Sequence, residues 1–345
     1  MRATVIIVTF DHASIVPRCL DALRATVGPD DEVLVVDNAS ADDTAGRVEV
    51  AYPWVRLERL PTNVGFGAAC NRGASLAHGN ALVFLNPDTE PQPGWLDALL
   101  ATLEPAPEGT LATAKLLLAG TPGRVDTFGN EIHISGITTC RGWGQPAEVF
   151  ARPDEVSAVS GACFAISRRL FWRLDGFDGR LFLYFEDTDL SLRARLAGAR
   201  CVAVPDALVL HDHRPGFSPA KLRYLERNRW WTLLKVCRWR TLVALAPVLL
   251  MSEAVAWGMA LGSGWRHVAA KLLAYADLAR WLGDLPAARA TLQETRVIAD
   301  AQLLALHSTQ LRFGQAVSGP LGRRAEALVA RAFGGGRALA AAMGA

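Results

Sequence analysis

No two of the six cysteines, at positions 19, 70, 140, 163, 201 and 237, form a CxxC pair. A zinc ribbon or dithiol redox site is therefore not expected, and scattered reduced cysteines fit a cytoplasmic setting. Charged residues make up only 20% of the 345-residue chain and apolar ones 51%, a balance that argues against disorder and for a globular or membrane-associated chain. No internal repeat is visible. No glycine fingerprint follows the first apolar run, where Phe10-Asp11-His12-Ala13 stands instead, so a dinucleotide-dependent oxidoreductase is disfavoured. The first nine residues carry one arginine and then read as a strand, so no leader peptide is expected. The length suits one large α/β domain with an appendage.

What is present is patterned. Residues 3–9 (ATVIIVT), 32–37 (EVLVVD) and 81–85 (ALVFL) are continuous apolar, mostly β-branched runs, as buried parallel strands require. A further strand is expected at 55–59. Helical spacing falls between them at 15–25, 42–51, 66–77 and 94–103. This alternation predicts a doubly wound, Rossmann-like, mostly parallel sheet. Ligands of such sheets bind beyond the carboxyl ends of the strands, where Thr9, Asp37 and Asp88 fall. Residues 116–150 lack a clear period and read as loops and short strands. Further strands are expected at 157–166 and 200–204, and helices at 168–174, 187–197 and 218–237.

The most informative stretch is 181–198, LFLYFEDTDLSLRARLAG. An apolar approach leads to Glu186, Asp187 and Asp189, and a helical pattern follows. A helix N-terminus stabilises carboxylates, so the cluster suits either a plain N-cap or a general base that must stay ionised. Other polar groups close strands: Val8-Thr9-Phe10, VVDNAS at 35–40, NVGFGAACNRG at 63–73, LNPDTE at 85–90, and His211-Asp212-His213. Together, in this order and spacing, these motifs resemble family 2 glycosyltransferases of the GT-A fold, in their bacterial rhamnosyltransferase-like branch. The resemblance runs from Ala3 to about Lys235, and residues 160–198 match the family's acceptor-side signature closely.

The resemblance implies roles residue by residue. Thr9, Phe10, Asp37, Asn38, Asn63, Gly65, Gly67, Asn71 and Asn86 would form the donor-nucleotide side, with Asp37 accepting from the N–H of uracil or thymine. Asn86-Pro87-Asp88 occupies the place of the metal-binding DxD motif and keeps only its last carboxylate. Asp88 and His211 would hold Mg²⁺ or Mn²⁺. Such a cation offsets the charge of a diphosphate leaving group. Asp187 would be the catalytic base of an inverting transfer, supported by Glu186. Gly161, Ala162, Trp143 and Arg227 would line the acceptor. Trp95 is a weaker sugar-stacking candidate, since buried tryptophan is commoner than a sugar platform. Where processive relatives carry QxxRW, Glu226 to Trp230 reads ERNRW, which implies transfer of one or a few sugars.

Charge is divided along the chain. Residues 1–220 hold 19 Lys and Arg against 27 Asp and Glu, and residues 221–345 hold 17 against 7. Beside the basic run at 221–240 lies an apolar one, 241–262, interrupted by Pro247 and one charge, Glu253. Its length reaches that of a membrane span, but a basic flank favours a helix lying on an anionic leaflet. The expected layout is a donor-binding half at 1–105, an acceptor and catalytic half at 106–235, a helical membrane-associating extension at 236–333, and a flexible tail at 334–345. Expected partners are a dTDP- or UDP-linked sugar, first of all dTDP-L-rhamnose, a glycan or polyprenyl-linked acceptor, and an anionic membrane at the inner face of the plasma membrane. No nucleic acid is expected, and a homodimer is left open. A non-catalytic nucleotide- or glycan-binding scaffold of the same fold is the alternative reading.

Overall fold

The computed structural model describes residues 1–121, 123–213 and 216–310. The expected tail at 334–345 and the end of the helical extension lie outside the described residues. The chain divides into two compact units. The first holds residues 1–130, 140–191 and 199–213; the described part of the second is 131–139, 192–198 and 216–310.

A large mixed sheet forms the first unit. Its strands are β1 (Ala3–Thr9), β2 (Glu32–Asp37), β3 (Arg56–Arg59), β4 (Ala81–Leu85), β5 (Thr89–Pro91), β6 (Thr110–Leu118), β7 (Val125–Phe128), β10 (Asp154–Glu155), β11 (Cys163–Ser167) and β12 (Arg200–His211); β8 (Asn130–Ile132) and β9 (Thr138–Cys140) form a separate ribbon. The sheet order is β10-β12-β6-β11-β4-β1-β2-β3. β1 pairs in parallel with β2 and β4, β2 with β3, and β12 with β6, while β11 runs antiparallel between β4 and β6. Helices α1 (Val16–Thr26), α2 (Thr44–Ala51), α3 (Phe66–Leu76) and α4 (Trp95–Leu103) are the crossovers, and α5 (Arg168–Arg173) follows β11. Every residue of β1, β2 and β4 is buried, which is why these strands need apolar side chains on both faces. β3 lies at the sheet edge and is half exposed.

The differences from the sequence reading have local causes. Of the run expected at 157–166 only 163–166 is strand, with β11 ending at Ser167, and residues 157–162 are an irregular segment that carries the Gly161 N–H. β12 is one strand of 12 residues rather than a piece ending at 204, because it continues through a register irregularity between Val204 and Leu208, around Pro205. β6 starts at Thr110 and reaches into the region expected to be irregular; its buried Thr113 and Lys115 hide the apolar signal.

The second unit is helical: α7 (Pro219–Val236), α8 (Trp239–Ala244), α9 (Ala246–Ser263), α10 (Trp265–Trp281), α11 (Leu285–Glu294) and α12 (Asp300–Leu304), while α6 (Glu186–Leu196) begins in the first unit and ends in the second. Ser218 caps α7 by accepting from the Lys221 N–H at 3.1 Å, and Pro219 takes the first turn. Pro247 sits in the first turn of α9. A proline is tolerated only there, so the apolar run 241–262 divides into two helices. α7 groups with this unit, whereas the expected border lay after it.

Candidate active site and its family

The carboxyl ends of β1, β2 and β4 bring the first set of candidates to one edge. Thr9 Oγ1 donates to Asp37 Oδ1 at 3.1 Å, and Ser40 donates its N–H to Oδ2 at 3.1 Å and its hydroxyl to Oδ1 at 2.5 Å. Asp37 is thus buried and fixed by local donors, with acceptor capacity remaining on Oδ2. Phe10, 42% exposed, stands beside it at the rim. The asparagines are builders of the loop. Asn38 donates to Asn63 Oδ1 at 3.0 Å and accepts from the Val64 N–H at 3.0 Å, while Asn63 Oδ1 also accepts from the Gly65 N–H at 2.9 Å. Asn71 is engaged elsewhere, clamping the Phe177 backbone through both its donor and its acceptor, at 2.8 and 2.9 Å.

Gly65 has φ +87°, and a Cβ there would lie 2.6 Å from the Phe182 carbonyl oxygen. That carbonyl accepts from the Phe66 N–H at 2.6 Å. The loop at 63–65 is therefore seated on the segment that leads to the acidic cluster. That segment is itself strained: Phe182, Tyr184 and Phe185 all have φ between 63° and 77°, a region costly for side-chain-bearing residues. Gly65→Ala is expected to lower the melting temperature, since it adds ~1–3 kcal/mol of backbone strain to the clash with Phe182. Thermal unfolding measures it, and an unchanged Tm would mean that the two segments are not held together.

Two consecutive carboxylates open α6. Asp187 Oδ2 accepts from the Gly161 N–H at 2.8 Å and from Asn130 Nδ2 at 3.0 Å, and its Oδ1 accepts from the Thr188 N–H at 2.6 Å. A Cβ at Gly161 would lie 3.2 Å from Oδ2, so glycine permits this close approach. Glu186 is buried, and its Oε2 has no hydrogen-bond partner. Burial, together with the neighbouring charge of Asp187, pushes Glu186 well above the usual carboxyl range. Burial also raises Asp187, although its N–H donors oppose the shift. The three donors favour charge on Asp187 and leave the shared proton on Glu186. Asp189 is fully buried.

On the metal side, Asp88 Oδ1 is buried and accepts no hydrogen bond; His211 Nε2 lies 3.4 Å from it. His211 donates Nδ1–H to Asp126 Oδ2 at 2.6 Å, and His213 donates to Asp126 Oδ1 at 2.9 Å. Burial opposes charge on His211, but Asp126 and Asp88 outweigh it and raise its pKa to about 9. Burial likewise works to raise Asp88, and His211 outweighs it, holding Asp88 below the usual range. A carboxylate behind a histidine fixes the ring and presents the other nitrogen outward, as metal-ligating histidines require. A hard divalent cation that takes the place of the Nε2 proton would suit this nitrogen and the buried Asp88 oxygen beside it. Asp126, Cys140 and His213 also bring ligand atoms within 4.8 Å of one another.

A chain of backbone bonds connects these groups. The Asn86 N–H donates to the Ala162 carbonyl at 2.9 Å, next to the Gly161 that holds Asp187, and the Asp212 N–H donates to the Asp88 carbonyl at 2.9 Å. Residues 4–175 match the family model "Glycosyl transferase family 2". An N-acetylglucosaminyl-diphospho-decaprenol L-rhamnosyltransferase of Mycobacterium tuberculosis is 32% identical over 243 residues, 63% of this chain and 78% of that protein.

The chain belongs to glycosyl transferase family 2.

It is accordingly a glycosyltransferase. Another relative, the O-antigen biosynthesis protein RfbC of Myxococcus xanthus, is 30% identical over 61% of this chain and 17% of its own length. Two solved structures share the fold. Residues 1–349 of TarS from S. aureus superpose with a TM-score of 0.55 at 17% identity, covering 99% of this chain and 90% of that one. GalNAc-T7, solved with UDP, GalNAc and Mn²⁺, gives 0.57 at 17% identity, over 68% of this chain and 48% of its own.

In this family 2 chain the remaining candidates divide. Trp143 is half-buried and packs edge-on to His213, with ring centroids 5.1 Å apart, which keeps it among the acceptor candidates. Trp95 is fully buried and donates to Thr26 Oγ1 at 3.2 Å, so it is a core residue and no platform for sugar. Arg227 belongs to the helical unit, where its guanidinium lies 4.3 Å from the Trp281 ring and its Nε donates to Asn228 at 2.9 Å. Asp126 and Asn130 escaped the sequence reading. Nothing in VDTFGN sets either apart from ordinary loop polarity, and only strand pairing gives each a role.

Proposed function

We propose that this glycosyltransferase inverts configuration at the sugar it moves, requires a divalent cation, and takes L-rhamnose from dTDP-rhamnose, or otherwise a hexose from a UDP-sugar. The acceptor is a hydroxyl of a lipid-linked or cell-surface glycan precursor. The decaprenol-linked rhamnosyltransferase relative supports the donor sugar and the acceptor class. The observation that carries the reading is the hydrogen-bonded edge on which Asn86 and Ala162 join the Asp88–His211 pair to the Gly161–Asp187 pair.

In this reading Asp37 accepts from the base N–H, and the loop that Asn38 and Asn63 shape around Gly65 lies along the ribose and diphosphate. Mg²⁺ or Mn²⁺ would be held by Asp88 and His211 and would offset charge on the departing diphosphate. Asp187 takes the proton from the acceptor hydroxyl as its oxygen attacks the anomeric carbon from the face opposite the nucleotide. Glu186, carrying the shared proton, limits charge repulsion beside it.

Thermal shift against dTDP-rhamnose, UDP-glucose, UDP-galactose, UDP-N-acetylglucosamine and GDP-mannose, each with and without Mg²⁺ or Mn²⁺, tests this. A metal-dependent rise with dTDP-rhamnose is expected, since a ligand bound only by the folded chain stabilises it. A rise with a UDP-sugar alone would move the donor assignment. No rise with any of them would overturn the reading.

A further inference from the structure

Among the described residues α9 alone is long and apolar enough to cross a bilayer. Its one charge says otherwise. Glu253 Oε1 accepts from Arg229 at 2.5 Å and from Trp230 Nε1 at 2.7 Å, and Oε2 accepts from the Tyr275 hydroxyl and lies 3.0 Å from Lys271 Nζ. Arg229 and Lys271 are themselves buried, at 2% and 0% exposure, and both also pair with Glu226. Pulling α9 out to span a membrane would carry a carboxylate into hydrocarbon and leave two buried cations short of a partner. Both steps are costly. α9 is therefore fastened to the helical unit by its inner face.

The outer face has a different character. Pro247, Leu250, Ala254, Gly258 and Leu261 are exposed at three- and four-residue spacing, and Val243 continues the face on α8. None is charged. At each end stands an exposed tryptophan with arginine beside it: Trp239 between Arg238 and Arg240, and Trp265 next to Arg266. An apolar stripe with tryptophan and arginine at its ends is what the boundary between headgroups and acyl chains selects. A second copy of the chain would bring these arginines against their own kind. Arg238, Arg240 and Arg266 are the charges at the ends of the stripe, with no acidic residue next to them in the chain. The charge favours an anionic surface.

We propose that α8, α9 and Trp265 form a docking face that lies in the plane of an anionic bilayer, with α9 parallel to the surface and Glu253 kept inside the protein. This inference does not depend on which sugar is transferred, and its test reads no turnover. The full chain is floated with vesicles of phosphatidylcholine alone or with 30% phosphatidylglycerol. Binding only to the anionic vesicles is expected, weakening with added salt, with a blue shift of tryptophan emission and quenching by brominated lipid. The double variant Leu250→Glu, Leu261→Glu should lower the bound fraction at least tenfold at unchanged Tm; Leu250→Ser, Leu261→Ser is the milder check should the charged pair unfold. Release by alkaline carbonate supports the in-plane face, and retention would overturn it in favour of a span. Equal binding by wild type and both variants would also overturn it. So would a dimer that the variants dissolve without any change in vesicle binding.

Discussion

Replacing Asp187 with asparagine is expected to lower kcat by roughly 10²–10⁴-fold, the range general-base catalysis supplies, while donor-induced thermal stabilisation persists. The amide keeps the size of the carboxylate and its oxygen can still accept from the Gly161 N–H and Asn130, while the bond from the Thr188 N–H is lost, so the fold should persist with a lowered Tm. It cannot take a proton. Single-turnover assays of the variant against wild type, with thermal shift alongside, separate the two effects. Intact turnover would remove Asp187 from the mechanism, and turnover absent from the wild type itself would favour the scaffold alternative. Glu186 gives the companion test. Burial raises the carboxyl pair above its unfolded values, so the folded state binds the shared proton more firmly than the unfolded chain does. The pair's contribution to stability is then fully present below the ordinary carboxyl range and is lost as pH rises toward neutral. Glu186→Gln removes that loss. It should raise Tm at pH 8 and do little at pH 4, at about 2–4 °C per kcal/mol for a domain of this size. It should leave the acidic limb of the rate profile in place, because Glu186 is already neutral when Asp187 ionises, and remove any titration near pH 8.

The strand-end part of this candidate site was legible because its signals are short-range. Apolar β-branched runs at 3–9, 32–37 and 81–85 can be little else than buried strands, and the structure gives those bounds. A residue that closes such a strand lands at the ligand edge whatever the loops do. The metal side was only half legible. His211 stands at the end of a strand, but the group that orients it, Asp126, comes from β7, which joins the sheet through its antiparallel pairing with β6. Nothing between residues 116 and 150 announces that pairing, because glycine and threonine weaken the period there. The asparagines illustrate a different limit. Their motif positions were visible, yet Asn71 holds the Phe177 backbone and Asn63 holds Gly65. Sequence spacing places a side chain near a site, while its hydrogen-bond partners decide whether it shapes the loop or faces the ligand.

Asp88→Asn and His211→Ala are each expected to abolish the metal-dependent part of donor stabilisation, and with it nearly all turnover. Asp37, Asp88 and Asp187 bring carboxylates to the strand ends and the loops beside them, and a nucleotide diphosphate would add more negative charge to the same place. Without a cation that assembly opposes itself. Asp88 keeps a buried oxygen unbonded, and His211 is aimed at it by Asp126. At a ligand concentration 100 times Kd, binding stabilises the fold by about 2.7 kcal/mol, so its loss is readily seen in a thermal shift. The two variants should retain whatever rise the donor gives without metal. Asp126→Asn offers the finer reading: it leaves both ligands in place but weakens their orientation, which in metal sites costs about 10–100-fold in affinity. Raising the Mn²⁺ concentration should therefore restore Asp126→Asn and leave Asp88→Asn inactive. Rescue of both alike, or of neither, would mean that Asp126 and Asp88 do the same work, and the division drawn here between ligand and orienting residue would be wrong.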